Sequence, residues 1–236
     1  MSDKLSTKNV KTEGKGSKTL EPGNVLCTIT GVALKPFTFK PGGYEIILSL
    51  ETKPVGEGFE GFFVDPQDQS KGRHLGQVGK VKLNQWAYAD GATKTGVAIS
   101  RNVTMMQDLK RLCVALGPNA AKWFDDQDDK HASIESLFEA FVLDAPYKGV
   151  FMNFCICGKE YLNKNNFVTH DLFLPKFSKT AVPFELEGTK PSKLNIFSPA
   201  EHIIKKDKTE VSNFSGDQGE EQHQDLHTGD NKEFEL

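Results

Sequence analysis

The residues most able to do chemistry lie at 80–88, KVKLNQWAY, where Lys80, Lys82, Trp86 and Tyr88 share one phase of an alternation and Val81, Leu83 and Ala87 take the other. Alternate side chains of a strand share a face and stand ~6 to 7 Å apart, close to the repeat of an extended nucleotide chain. Lysines on such a face can answer phosphates, and flat rings can stack on bases at ~1 to 3 kcal/mol each. A second set, Lys35, Phe37, Phe39 and Lys40, falls in the first connection, and Lys71 and Arg73 lie in a later loop. These ten residues are the candidates for contact with a single nucleic-acid strand. For Trp86 and Tyr88 the competing reading is cover by a neighbouring helix, and for the phenylalanines it is burial in the core.

Other constellations carry less. Cys155 and Cys157 share one face of a strand, but a lone C-x-C without a second pair or a spaced histidine is not a zinc site, so buried free thiols are expected. Asp125, Asp126, Asp128 and Asp129 resemble part of a calcium loop that lacks its glycine and terminal glutamate, and they read as a solvated connection. GKGSKT at 14–19 misses the Walker spacing and follows no strand. No histidine sits with a serine or cysteine in a nucleophile motif, and carboxylates such as Asp65, Asp68 and Asp90 form no paired nuclease motif. Neither catalysis nor a cofactor nor a metal is expected.

Periodicity identifies the elements that carry these candidates. Strands are predicted at 24–34, with Gly31 as a bulge, at 44–52, where Tyr44, Ile46, Leu48 and Leu50 share a face, and through 59–65 and 77–88. Helices come next. Thr104 and Gln107 have capping-box spacing ahead of the stripe Met105, Met106, Leu109, Leu112, Cys113 and Leu116, which Gly117-Pro118 ends. A second helix begins at Ser133 and buries Ile134, Leu137, Phe138, Phe141 and Val142. Strands at 149–158 and 166–175 come after it, joined by the turn-prone KEYLNKN, and the remainder to about 204 is irregular.

Charge divides the chain. Residues 210–236 carry eight carboxylates against one lysine and end in NKEFEL, whereas residues 1–209 sum to +4 (28 minus 24) and residues 21–209 to +1 (23 minus 22). The tail should be a solvated interaction segment, with Phe234 and Leu236 as apolar anchors for a partner. Residues 1–20 hold five lysines against two acids and read as a flexible basic arm. No apolar run approaches the ~18 to 20 residues of a membrane span, no export signal is apparent, and four cysteines fit a reducing compartment, so a soluble cytoplasmic protein is expected.

Three strands, a helical segment and two strands, with a basic lead and an acidic, hydrophobic-ended tail, resemble the tailed-phage single-stranded-DNA-binding proteins of the OB-fold type. The chain departs from their compact forms in its helical insertion and in Leu236 as final residue. The resemblance implies a β-rich (α+β) fold, an OB-fold-like five-stranded Greek-key barrel over 21–204; the periodicity adds a two-helix insertion between strands 3 and 4 at about 102–145, and the composition adds disordered flanks at 1–20 and 205–236. It implies binding and protection of single-stranded DNA, without strong sequence preference, in phage replication or recombination inside an infected host. Replication proteins such as a polymerase, helicase or primase would be recruited by the tail, which would also compete with DNA. The alternative, from another class, is a non-enzymatic structural or scaffolding protein of a virion.

Overall fold

Alternation of apolar and polar residues sets the barrel. In β1 (Gly23–Phe37), Val25, Cys27 and Ile29 point inward, and Val32 resumes the inward phase after a register shift between Ile29 and Gly31. That bulge bends the strand. Residues 23–28 of β1 pair with β6 (Phe151–Leu162), and residues 27–37 pair with β2 (Gly43–Thr52). One long strand therefore closes the sheet on itself. β2 pairs with β3 (Val78–Lys82), β3 runs parallel to β7 (Val168–Phe173), and β7 returns to β6, giving a closed five-stranded barrel. The computed structural model describes residues 19–52, 77–164 and 166–205. The strand expected at 59–65 lies outside them, as do Lys71, Arg73, Phe234 and Leu236.

The barrel is filled by Ile46, Leu48 and Leu50 of β2, Val81 of β3, Met152, Phe154 and Ile156 of β6, and Leu172 of β7, all buried. Leu20 plugs the seam beside β3. Its amide donates to the Val78 carbonyl at 3.0 Å, and a Cβ on Gly79 would stand 2.5 Å from the Leu20 Cβ, so only glycine lets the segment close there. Thr19 and Leu20 thus belong to the barrel rather than to the N-terminal arm. β8 (Phe184–Leu186) and β9 (Ile203–Ile204) extend the sheet beside β6, and the four-residue helix α4 (Pro199–His202) leads into β9.

Between β3 and β6 come a small hairpin, β4 (Gly91–Ala92) with β5 (Ala98–Ile99), and three helices where two were expected. α1 (Arg101–Leu116) starts ahead of the expected Thr104, because the Ser100 hydroxyl accepts from the Val103 amide and caps it, while the Thr104 hydroxyl donates back to the Ser100 carbonyl. Its inward stripe is Met105, Leu109, Leu112, Cys113 and Leu116, and Met106 is exposed. Gly117-Pro118 ends α1 and also starts α2 (Pro118–Asp125), with proline in the first helical turn where its missing amide costs nothing. α3 (Ile134–Asp144) carries the expected Ser133 cap, completed reciprocally by Ser136, and buries Ile134, Leu137, Phe138 and Phe141 but leaves Val142 exposed.

A buried polar contact joins α1 to the barrel. The Tyr88 hydroxyl donates to Asp108 Oδ2 at 2.8 Å, and Arg111 Nη1 donates to Asp108 Oδ1 at 2.7 Å. Burial, and then the Asp108 charge, push the Tyr88 phenol far above its ordinary range. Tyr88→Phe leaves a buried carboxylate oxygen without its donor, so urea unfolding should lose about 1 to 3 kcal/mol of stability. A loss under about 0.5 kcal/mol, the range of ordinary surface changes, would show that this contact does not hold the helices to the barrel.

Candidate nucleic-acid interface

The outer face of β1, β2 and β3 is set by the phase opposite the core. Across it run the register rows Lys35 with Glu45, Ala33 with Ile47 and Lys82, and Gly31 with Ser49 and Lys80. Lys80 and Lys35 are exposed. Lys82 is not free: its ammonium lies 2.7 Å from Glu45 Oε1, with 33% of the lysine side chain and 11% of the glutamate side chain exposed. Two carboxylates of β2 share this phase, the exposed Glu51 opposite Val78 and Glu45, which neutralises the nearest of the cations.

Beyond Lys82 the strand period breaks. The Leu83 amide donates to the Ile46 carbonyl at 2.9 Å, and Tyr44 and Tyr88 next exchange both backbone bonds, at 2.9 and 2.7 Å. Residues 84–87 are therefore accommodated opposite the single residue Glu45. Within this excess Asn84 Oδ1 accepts from the Trp86 amide at 3.3 Å, and Trp86 is left 65% exposed. The same excess reverses the phase of the residues after it. Tyr88, expected beside Trp86 on the outer face, is 4% exposed and faces Asp108, so it is a core residue and leaves the candidate site.

Phe37 ends β1 half-buried, and Phe39 projects from the adjoining turn at 67% exposure, their rings edge to face at 5.6 Å. Lys40 is exposed in the same turn. The turn is tight because the Gly43 amide donates to the Lys40 carbonyl at 2.9 Å, and a Cβ on Gly43 would meet that carbonyl at 3.0 Å. The structure thus brings Lys35, Phe37, Phe39, Lys40, Lys80, Lys82 and Trp86 to the outer side of the β1–β3 sheet and the turn at its edge.

Four residues on the β6–β7 hairpin were not singled out from the sequence. Tyr161, Leu162, Phe167 and Val168 are exposed around its tip, with Phe167 at 68%, and Lys159 and Lys164 accompany them. Asn163 builds the turn: its Oδ1 accepts from the Phe167 amide at 3.0 Å and its carbonyl from Asn166 at 2.9 Å, while Asn166 takes the left-handed conformation that asparagine tolerates. The alternation of Lys159 with Tyr161 is a strand signal that KEYLNKN, read only as a turn, conceals. Because β7 runs parallel to β3, this tip stands at the Val78 end of β3, and the β1–β2 turn stands at the Lys82 end. An exposed phenylalanine therefore projects beyond each end of the β2–β3 face.

Among the described residues no three His, Cys, Asp or Glu side chains are grouped to hold a metal ion, and no helix is long and apolar enough to cross a membrane. All four cysteines are buried and free, with the Cys27 and Cys113 thiols pushed up to about 12 chiefly by burial. The arrangement offers cations along a strand-lined surface with exposed rings beyond its ends. Comparison with family models, with curated proteins and with solved structures returns no match to this chain.

The Glu45 carboxylate makes a specific prediction about this face. Glu45→Gln keeps the side-chain shape but releases the Lys82 ammonium, so affinity for a single-stranded oligonucleotide should rise and its log-log salt slope should steepen by roughly 0.7, one added phosphate. Glu45 is buried while Lys82 keeps a third of its side chain in solvent, so losing the charge should cost about 1 to 3 kcal/mol of stability. Unchanged affinity and slope would place Lys82 away from the strand.

Proposed function

We propose that this protein binds and protects single-stranded DNA without strong sequence preference, in phage-type replication or recombination. The observation that carries the reading is the β2–β3 outer face, with Lys80, Lys82 and Trp86 upon it and an exposed phenylalanine, Phe39 or Phe167, beyond either end. We read the barrel as a Greek-key OB fold: β6 and β7 are its fourth and fifth strands, and the helical segment is inserted between its third and fourth. In OB folds the face of strands 2 and 3, with the loops joining strands 1–2 and 4–5, takes oligonucleotides. Those loops are here the β1–β2 turn and the β6–β7 turn, which supports the same assignment.

The contact is nonspecific by chemistry. Rings stack on any base, and lysines meet any phosphate. The acidic residues 210–236 supply the regulatory half of the reading: their carboxylates compete with DNA for cations, and Phe234 and Leu236 anchor a polymerase, helicase or primase. The site of action is the cytoplasm of an infected host, and the protein acts without catalysis.

Titration of the protein with fluorescent oligo-dT and with duplex of the same length, at two salt concentrations, tests this. Single strands should bind tighter than duplex, with affinity falling as salt rises at a log-log slope of about -0.7 per phosphate contacted. Equal or tighter duplex binding would sink the reading. No binding to either would favour the alternative, a structural or scaffolding protein of a virion, with which the near-neutral +1 of residues 21–209 (23 minus 22) is compatible.

A further inference from the structure

Residues 91–100 are exposed at every position, yet they form an ordered antiparallel hairpin. An isolated two-stranded hairpin is marginal in water, and here no core burial offsets the entropy of ordering it. Local bonds hold it instead. The Thr93 amide donates to the Val97 carbonyl at 2.8 Å and the Gly96 amide to the Thr93 carbonyl at 2.9 Å, while Thr93 Oγ1 accepts from the Val97 amide at 3.0 Å. Gly96, at φ 83°, supplies the left-handed turn position that glycine favours.

The root is braced as well. Asp90 Oδ1 accepts from the Arg101 amide at 2.8 Å, Arg101 Nη1 donates to the Gly42 carbonyl at 2.6 Å, and the guanidinium lies 4.9 Å from the Tyr44 ring centroid. Arg101 thus ties the hairpin to the β1–β2 turn that carries Phe39 and Lys40. Residues 35–43 and 91–107 contain Lys35, Lys40, Lys94 and Arg101 and no carboxylate; Asp90 and Glu135 stand beside Arg101 and Glu45 lies opposite Lys35, while the hairpin itself carries Lys94 as its one charged side chain. Val97 and Ile99, on alternate positions of the hairpin, are both exposed.

Resting on the single-strand-binding reading, we propose that the β4–β5 hairpin is a second contact arm for the same strand. The strand leaves the β2–β3 face past Phe39. Lys94 then takes its sugar-phosphate backbone, and Val97 and Ile99 take an unstacked base. Arg101 is the positioning residue that holds arm and turn together. A protein partner fits less well, because each hairpin strand is two residues long and offers almost no edge for a third strand to pair with.

The test uses the full chain, one variant with Gly-Gly in place of residues 92–98 and a point variant Lys94→Glu, and fluorescent oligo-dT of about 6 and about 20 nucleotides, bracketing the span of one OB barrel. Both variants should bind the short probe as the intact protein does. They should bind the long one about 5- to 10-fold more weakly, with a shallower salt slope. Unchanged affinity for the long probe in both variants, or equal losses at both lengths, overturns the proposal. So does a changed sedimentation profile with unchanged DNA affinity, which would assign the arm to a protein contact. An intact protein that binds neither probe fails the parent reading, and this inference with it.

Discussion

The arrangement of the candidate interface depends on one mismatch in count: four residues, 84–87, set against the single residue Glu45 between two points of fixed backbone pairing. The surroundings are decided by where the excess goes. Turned inward by the phase reversal, Tyr88 meets Asp108 and fastens α1 across the barrel. Trp86, in the same excess past the end of β3, is left in solvent. A strand of regular period could not do both, because it would carry Trp86 and Tyr88 to the same face. The anchoring of the helices and the presentation of the indole are therefore two consequences of one bulge, and neither can be altered without the other.

Electrostatics on this face are a matter of placement. With residues 21–209 at only +1 (23 minus 22), the body has almost no net charge, and the proposed phosphate contact would rest on particular side chains. Glu45 lies among Lys35 and Lys82 and pairs with the latter, which restrains positive charge in the middle of the sheet. The edges differ. Around the β1–β2 turn the stretches 35–43 and 91–107 carry Lys40 and Lys94 with no carboxylate of their own, and Arg101, which Asp90 and Glu135 accompany, ties the turn to the hairpin. Such a distribution suits a strand that crosses the sheet by stacking and is held electrostatically where it leaves.

Periodic signals made part of this legible in the sequence. Alternation located β1 and β2 within a few residues, Gly31 marked the bulge, and Ser133 with its apolar stripe marked α3. The features that escaped lacked a period or had two readings. Gly117-Pro118 can close a helix or open one, and here it does both, so α2 went unseen. Ser100 outcompeted Thr104 as the cap of α1, its hydroxyl accepting from the Val103 amide while Thr104 donates back to the Ser100 carbonyl. The inward turn of Tyr88 could not be read from alternation, since an unpaired insertion leaves no trace in residue type. Tyr161 was hidden because the turn signal of KEYLNKN masked the last four residues of β6, whereas Phe167 fell at the start of the strand expected at 166–175 and was passed over as a site residue.

Whether the face bearing Trp86 meets the single strand can be read by tryptophan fluorescence, because the chain has only two tryptophans and they are placed differently. Trp86 is in solvent, whereas the Trp123 indole N–H donates to Asp144 at 2.8 Å and its ring packs at 5.2 Å from that of Phe141. Titration with oligo-dT should quench emission in the intact protein and in Trp123→Phe, where only Trp86 reports, and should leave Trp86→Phe unquenched. Binding that proceeds without quenching in Trp123→Phe, or with full quenching in Trp86→Phe, would overturn this assignment and put the strand on another surface.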